Sequence, residues 1–192
     1  MTGPVLALID YDNVRTRDEH NMRDVESNLL EIVPAVVAEA RREFHSPREL
    51  LLRVYGGWVD EQSQHTRRGE WVLVGLTWYR GRSGSTIVKP ALATSLACRP
   101  RDMLVGTARQ TPKGLRQKMV DNMLAVDVRH FGRDIEAQVM VYSDDDDLVP
   151  GLLSTTAHDY PVRVHWLRQR KVGSGMNDHL LRRAGITIAS TS

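Results

Sequence analysis

The sequence is poor in cysteine and in aromatic residues. Cys98 is the single cysteine among 192 residues, and aromatic residues make up 6% of the chain. One cysteine cannot form an intramolecular disulfide or a zinc site of several thiolates. The low aromatic content leaves few side chains on which nucleic-acid bases could stack.

Signals for a membrane or for export are also missing. No apolar run approaches the roughly 20 residues that a membrane-spanning helix needs. The first apolar run ends at Asp10 and has no basic segment before it, which argues against a signal peptide. From these absences we expect a soluble cytoplasmic protein, and the chain length suits a single domain.

Several common catalytic signatures are absent as well. The seven histidines do not show the spacing of metal ligands. No glycine-lysine-serine or glycine-lysine-threonine sequence marks a P-loop. These absences leave the acidic residues as the main candidates for chemistry.

Negative charge is concentrated in the chain, whereas positive charge is spread along it. The formal net charge is +2, and four acidic residues are consecutive, from Asp144 to Asp147. A concentrated negative site on a mildly positive protein suits a metal-dependent enzyme that acts on polyanions. Ordinary solvated surface charge is the alternative for any one of these groups.

Apolar runs alternate with helical patterns along the chain. The alternation predicts an α/β fold with a central, mostly parallel sheet and helices on both faces. Trp71–Tyr79 fits a strand or a buried helix, Gly81–Ser85 a flexible loop, and Pro34 should kink or split the first long helix. The predicted strands include Pro4–Ile9, Leu50–Tyr55, Ala137–Tyr142 and Val162–Leu167, and the predicted helices are Val25–Phe44, Leu115–Val128, Leu148–Ala157 and Met176–Ala184.

Two of the predicted strands end in aspartates. The first runs into Asp10-Tyr11-Asp12-Asn13, and another runs through Ser143 into the four aspartates. Ligands of such a sheet bind at the carboxyl ends of its strands. Adjacent carboxylates repel one another, so a cation must lie among them or some must be protonated. Mg²⁺ or Mn²⁺ prefers such oxygen ligands, although Asp147 could instead simply cap the following helix.

A further pair of acids lies in the helical pattern after Lys118. Asp121 and Asp127 are six positions apart, about 120° around a helix, so they cannot both face one ion squarely. Periodicity alone favours two ordinary exposed acids, with Lys118 close enough to pair with Asp121.

Four segments together resemble the NYN domain family of PIN-like ribonucleases. They follow the family's order over positions 8 to 150, and the resemblance implies a single PIN-like domain that hydrolyses RNA with Mg²⁺ or Mn²⁺. The segments are Leu8-Ile9-Asp10-x-x-Asn13, Tyr55-Gly56-x-Trp58, Lys118-x-Val120-Asp121 with Asp127 following, and Ser143 to Pro150.

The resemblance also implies roles for individual residues. Asp10, Asp121, Asp145 and Asp147 would bind the metal, and Asn13 would fix a carboxylate or the substrate. Asp144 stands where the family has glycine, so it would be strained if that position required a positive φ. Which of the four aspartates face the metal therefore stays open. The basic residues expected to track the RNA backbone, unless they form an ordinary solvated loop and helix start, are Arg109, Lys113, Arg116 and Lys118.

Two other functions fit part of the pattern. Leu6 to Val14 also resembles the first motif of haloacid-dehalogenase-type phosphatases, in which Asp10 would be the nucleophile and Asp12 the acid or base. The helical Lys118-x-Val120-Asp121 motif has no place in that family. A degenerate nuclease fold could also bind RNA or a partner protein without cutting. The RNA target, the choice between RNA and DNA, endonuclease or exonuclease action and the oligomeric state, a homodimer included, stay open.

Overall fold

The structure is a computed structural model that describes residues 4–112, 114–135, 137–156, 163–170 and 177–191. Strands and helices alternate along most of the described chain. The strands are β1 (Val5–Asp10), β2 (Glu49–Tyr55), β3 (Gly81–Ser83), β4 (Thr86–Leu92), β5 (Ala108–Thr111), β6 (Gly114–Gln117), β7 (Gln138–Tyr142), β8 (Val164–Arg168) and β9 (Thr187–Ser190). The helices are α1 (Tyr11–Val14), α2 (Met22–Glu43), α3 (Arg67–Thr77), α4 (Val120–Arg129), α5 (Val149–Thr156) and α6 (Asp178–Arg183).

The main sheet has the strand order β3-β4-β2-β1-β7-β8-β9. All of its neighbouring strands are parallel except β3 and β4, which are antiparallel. The central strand β1 is buried at every residue, which explains its unbroken apolar run. Because β1 lies between β2 and β7, its last residues are opposite Tyr55 and Tyr142.

Helices cover both faces of this sheet. Val5, Ala7 and Ile9 of β1 belong to a core shared with α2 and α3. Leu8 points the other way, into a second core that it shares with α4, α5 and α6. The predicted α/β architecture, a mostly parallel sheet between helices, is therefore confirmed. None of the helices in the described part of the chain is long and apolar enough to cross a membrane.

The long helix α2 runs without a break through Pro34. Asn21 caps its first turn in a reciprocal arrangement with Asp24. Pro34 cannot donate a backbone hydrogen bond to the carbonyl of Leu30, and Leu30 is exposed to 65%. Water can therefore satisfy that carbonyl, and the proline does not split the helix. The exposure of Leu30 also shows that it does not belong to the buried face of α2.

The structure decides one open local prediction and contradicts two others, which are overridden by strand pairing. Trp71–Tyr79, which fitted strand or helix, lies mostly in α3, and Gly81–Ser85 is not a loop but contains β3, paired with β4. The helix expected from Leu115 begins only at Val120, because β5 and β6 pair as a hairpin before it. Met119 separates hairpin and helix with a left-handed φ of 63°.

Candidate metal centre

Three aspartates from distant parts of the chain meet at the carboxyl edge of the sheet. Asp10 ends β1, Asp145 follows β7, and Asp121 lies in the first turn of α4, which packs against β1. One carboxylate oxygen from each of the three lies within 4.8 Å of the others. The parallel pairing of β1 and β7 explains the first contact, because both strands end at the same edge.

One oxygen of the Asp10 carboxylate accepts hydrogen bonds, and the other accepts none from the described residues. Its Oδ2 atom accepts hydrogen bonds from Asn13 Nδ2 at 2.6 Å and from Ser143 Oγ at 2.7 Å. Its Oδ1 atom is buried without a hydrogen-bond partner, and so is Oδ1 of Asp121. A buried oxygen without a partner costs free energy, so these two atoms are suited to bind a cation.

The electrostatics of this site also favour a cation. Burial raises the pKa of Asp10 to about 6, and the charges of Asp121 and Asp12 add to the rise. Hydrogen bonds from Ser143 and Asn13 oppose it. The pKa of Asp121 is raised as well, by burial first and then by Asp145, Asp147 and Asp12. No ion pair within the described residues involves Asp10, Asp121, Asp145 or Asp147, so nothing in that set neutralises them.

The four consecutive aspartates, Asp144 to Asp147, form an acidic turn whose side chains divide into two pairs. Asp145 belongs to the three-carboxylate cluster, and its Oδ1 also accepts the backbone amide of Asp147 at 2.9 Å. Asp145, not Asp147, therefore caps the short helical turn that precedes α5. Asp147 is exposed and near enough to raise the pKa of Asp121. Asp144 and Asp146 instead contact the end of β8.

The position of Asp144 does not require a positive φ, so its backbone is not strained. Asp144 is absent from the non-glycine residues with positive φ in the described chain. Its carboxylate accepts the backbone amide of Gln169 at 3.0 Å and that of Arg170 at 3.2 Å. Aspartate is therefore accommodated at this position without the conformation that favours glycine.

Asp127 lies outside the cluster, in a separate polar network. It is fully buried, and its carboxylate accepts the Tyr55 hydroxyl at 2.6 Å, the Ala97 amide at 2.7 Å and Arg53 Nη2 at 3.0 Å. The prediction from helical spacing that Asp121 and Asp127 do not face the same ion agrees with these contacts. The expectation that both were exposed acids is wrong, because Asp127 is buried and Asp121 is partly buried.

Three of the four predicted basic residues lie on or next to the β5–β6 hairpin. Arg109 and Arg116 are opposite each other across its two strands, and Arg109 pairs with Glu61 at 2.8 Å. Lys118 is exposed and makes no ion pair within the described residues, and Lys113 lies outside those residues. The base of the hairpin is anchored to the segment that follows β2, where the Ala108 amide donates to the Val59 carbonyl at 2.8 Å.

Sequence reasoning missed the arginines around the site. Arg68 of α3 contacts both Asp12 and Glu19, and Arg15 lies 3.5 Å from Asp12. Arg168 and Arg170, at the end of β8, contact Asp146. A signal for the second pair existed, because both arginines follow a predicted strand whose carboxyl end belongs at the same sheet edge.

Comparison of the chain with family models, with curated proteins and with solved structures gives no match. A functional assignment therefore depends on the residues of the site and on their geometry.

Proposed function

We propose that this protein is a metal-dependent nuclease that hydrolyses phosphodiester bonds in RNA. The observation that carries the proposal is the convergence of Asp10, Asp121 and Asp145, with two buried carboxylate oxygens that lack a partner. An all-oxygen donor set of this kind suits Mg²⁺ or Mn²⁺. The motif resemblance to the NYN ribonucleases supports RNA as the substrate, and a cytoplasmic location belongs to the same proposal.

The residues around the metal centre would have different roles in hydrolysis. A bound metal would supply an activated water and neutralise charge that develops on the phosphate. Asn13 and Ser143 hold one oxygen of Asp10, and its other oxygen, which has no hydrogen-bond partner among the described residues, would bind the cation. Asp147 is exposed beside the cluster, where it can act as a fourth carboxylate or accept a proton from the attacking water.

The β5–β6 hairpin would guide the substrate. It carries Arg109 and Arg116 and leads within a few residues to Lys118 and Asp121. Cations at such a place can bind the phosphates on either side of the scissile bond. Hydrolysis then adds water across a P–O bond, so that one product keeps the phosphate and the other a hydroxyl group.

The test is a cleavage assay with end-labelled single-stranded RNA and DNA of the same sequence. We expect RNA cleavage with Mn²⁺ or Mg²⁺ and none with excess chelator. Asp121→Asn, purified in the same way, is the control for a contaminating nuclease. Full cleavage in excess chelator would contradict the metal mechanism. Tight RNA binding without any cleavage would favour the degenerate binding module instead.

A further inference from the structure

A buried arginine holds one side of the acidic turn. Arg168, the last residue of β8, is exposed to only 1%. Its Nη2 atom donates to Asp146 Oδ1 at 2.8 Å and its Nη1 atom to Asp178 Oδ1 at 3.0 Å. The guanidinium carbon lies 4.1 Å from the centre of the Trp166 ring. A planar guanidinium fixed by stacking and by two carboxylates has little freedom to move.

Within the described part of the chain, the contacts from the end of β8 reach Asp144 and Asp146, which are alternate residues of the acidic turn. Arg170 Nη2 donates to Asp146 Oδ1 at 2.5 Å, and Arg168 Nη2 lies 3.4 Å from the carbonyl oxygen of Asp144. The carboxylate of Asp144 accepts backbone amides from the same segment. Asp145 and Asp147 take part in no ion pair within the described residues.

Hydrogen bonds through Ser143 also connect β8 to Asp10. Trp166 Nε1 donates to the carbonyl of Ser143 at 2.8 Å. The hydroxyl of Ser143 donates to Asp10 Oδ2 at 2.7 Å and accepts the amide of Asp145 at 3.0 Å. Trp166 therefore holds Ser143, which is hydrogen-bonded to both Asp10 and Asp145, and Arg168 holds the residues on either side of Asp145.

We propose that Arg168 is a positioning residue for the metal centre. This proposal rests on the function proposed above, and it identifies the residue that orients the acidic turn. Four adjacent carboxylates repel one another. The local hydrogen bonds of the turn join Ser143, Asp145 and Asp147. Arg168 and Arg170 hold Asp146 and the backbone of Asp144, so that Asp145 is left to face Asp10 and Asp121.

A positioning role and a simple charge effect of Arg168 predict opposite changes in cation affinity when its positive charge is removed. Removing a positive charge beside an acidic site should strengthen cation binding if charge alone matters. If Arg168 orients the turn, its removal should weaken cation binding, because Asp145 is no longer held in place. Residues that orient metal ligands typically contribute about 10–100-fold to metal affinity.

The experiment measures Mn²⁺ affinity by calorimetric titration of the full chain. We expect Arg168→Met and Arg168→Lys each to bind Mn²⁺ about tenfold or more weakly than the wild type. Arg170→Gln should change affinity in the same direction but less, and it should fold in any case because Arg170 is partly exposed. His165→Gln is the matched control, since His165 is a buried residue of the same strand that pairs with Glu39 on the opposite face.

A second readout does not need the metal. Amide hydrogen exchange of Asp145 and Asp147 in the metal-free protein should be faster in Arg168→Lys than in the wild type, and unchanged in His165→Gln. Equal or tighter Mn²⁺ binding by the arginine variants would overturn the positioning role alone. A wild-type protein that binds no Mn²⁺ would overturn the proposed metal centre, and the positioning role with it.

Discussion

Two aspartates of the same helix, Asp121 and Asp127, have opposite surroundings. Asp127 is fully buried, and both of its oxygens accept hydrogen bonds, from Tyr55 and from the Ala97 amide, with Arg53 beside them. Asp121 is less buried, yet its Oδ1 has no partner. The groups that raise its pKa, apart from burial, are all other carboxylates.

The difference shows that burial of a carboxylate does not by itself mark a functional site. At Asp127 the positive charge and the donors are supplied by the protein, so the carboxylate is matched and its role is structural. At Asp121, Asp10 and Asp145 the protein supplies the carboxylates but no cation within the described residues. A mismatch of this kind is what an added ion can relieve.

The largest expected effect concerns catalysis. Asp10→Asn and Asp121→Asn keep the side-chain shape but remove a charge that the metal would need, so each should lower RNA turnover by orders of magnitude. Asp127→Asn should keep most of the turnover of the wild type per folded molecule. Initial rates with Mn²⁺, normalised to the folded fraction from circular dichroism, test this. Equal losses in Asp121→Asn and Asp127→Asn would remove the distinction between the two aspartates.

Folding stability should depend more on Asp127 than on Asp121, the reverse of their expected effects on turnover. Asp127→Ala leaves the partly buried Arg53 and the buried Tyr55 without their acceptor and should lower the free energy of unfolding by about 3–5 kcal/mol. Asp121→Ala should leave the metal-free protein unchanged or more stable, since it removes one of several carboxylates that repel each other. Urea unfolding in chelator measures both. A loss of stability in Asp121→Ala as large as in Asp127→Ala would contradict the proposed contrast.

Asp10 should make the stability of the metal-free protein depend on pH. Its pKa rises from 3.8 to about 6 on folding, so the folded state binds a proton more tightly than the unfolded state. The stabilisation is complete below about pH 4 and is lost as the pH rises through about 6. Relative to Asp10→Asn, the wild type should therefore lose up to about 3 kcal/mol between about pH 4 and pH 7.5.

This pH effect has its own control. Saturating Mn²⁺ should reduce the difference between wild type and Asp10→Asn near pH 7.5, because the metal binds only the intact, ionised cluster. Urea unfolding curves at several pH values, with chelator and with Mn²⁺, give the comparison. A difference between the two proteins that does not change with pH would mean that Asp10 has an ordinary pKa.

Substitution of Asp12 should have the smallest effect on turnover. Its surroundings resemble those of Asp127 in one respect and those of Asp121 in another. Its carboxylate pairs with Arg68 and Arg15, yet its Oδ2 is buried without a hydrogen bond. Asp12→Ala should keep RNA turnover within a few-fold of the wild type. A phosphatase of the haloacid-dehalogenase type would instead need Asp12 as its acid or base. An inactive Asp12→Ala, together with phosphate trapped on Asp10 by acid quench and found by intact mass, would favour that phosphatase.

Some parts of the site could be predicted because they depend on short segments. The buried strand β1 and the strand before the acidic turn were evident from apolar runs, and parallel strands bring their carboxyl ends to one edge. Asp10 and the acidic turn were therefore expected to lie close together. Asp121 was supported only by the resemblance, because helical periodicity gives the face of a residue and not the element against which that face packs.

Other parts depended on contacts between distant residues. The start of α4 was misplaced because the segment after Leu115 has a helical pattern, whereas pairing of β6 with β5 overrides it. Asp127 was misjudged because Tyr55, Arg53 and Ala97 are distant in sequence. Local propensity differs by a few tenths of a kcal/mol per residue, which is less than the hydrogen bonds and packing of a formed hairpin.

The amino-acid sequence by itself determined the α/β class, the central strand and the presence of carboxylates at two strand ends, because these follow from the period and length of apolar runs. Only the tertiary structure decided which carboxylates meet. Asp144 and Asp146 contact Arg168, Arg170 and the backbone between them, more than 20 positions along the chain, and Asp145 is left to face Asp10 and Asp121. Charge pairing acts through space, so the identical residues of a four-aspartate run acquire different roles only after the strands have assembled.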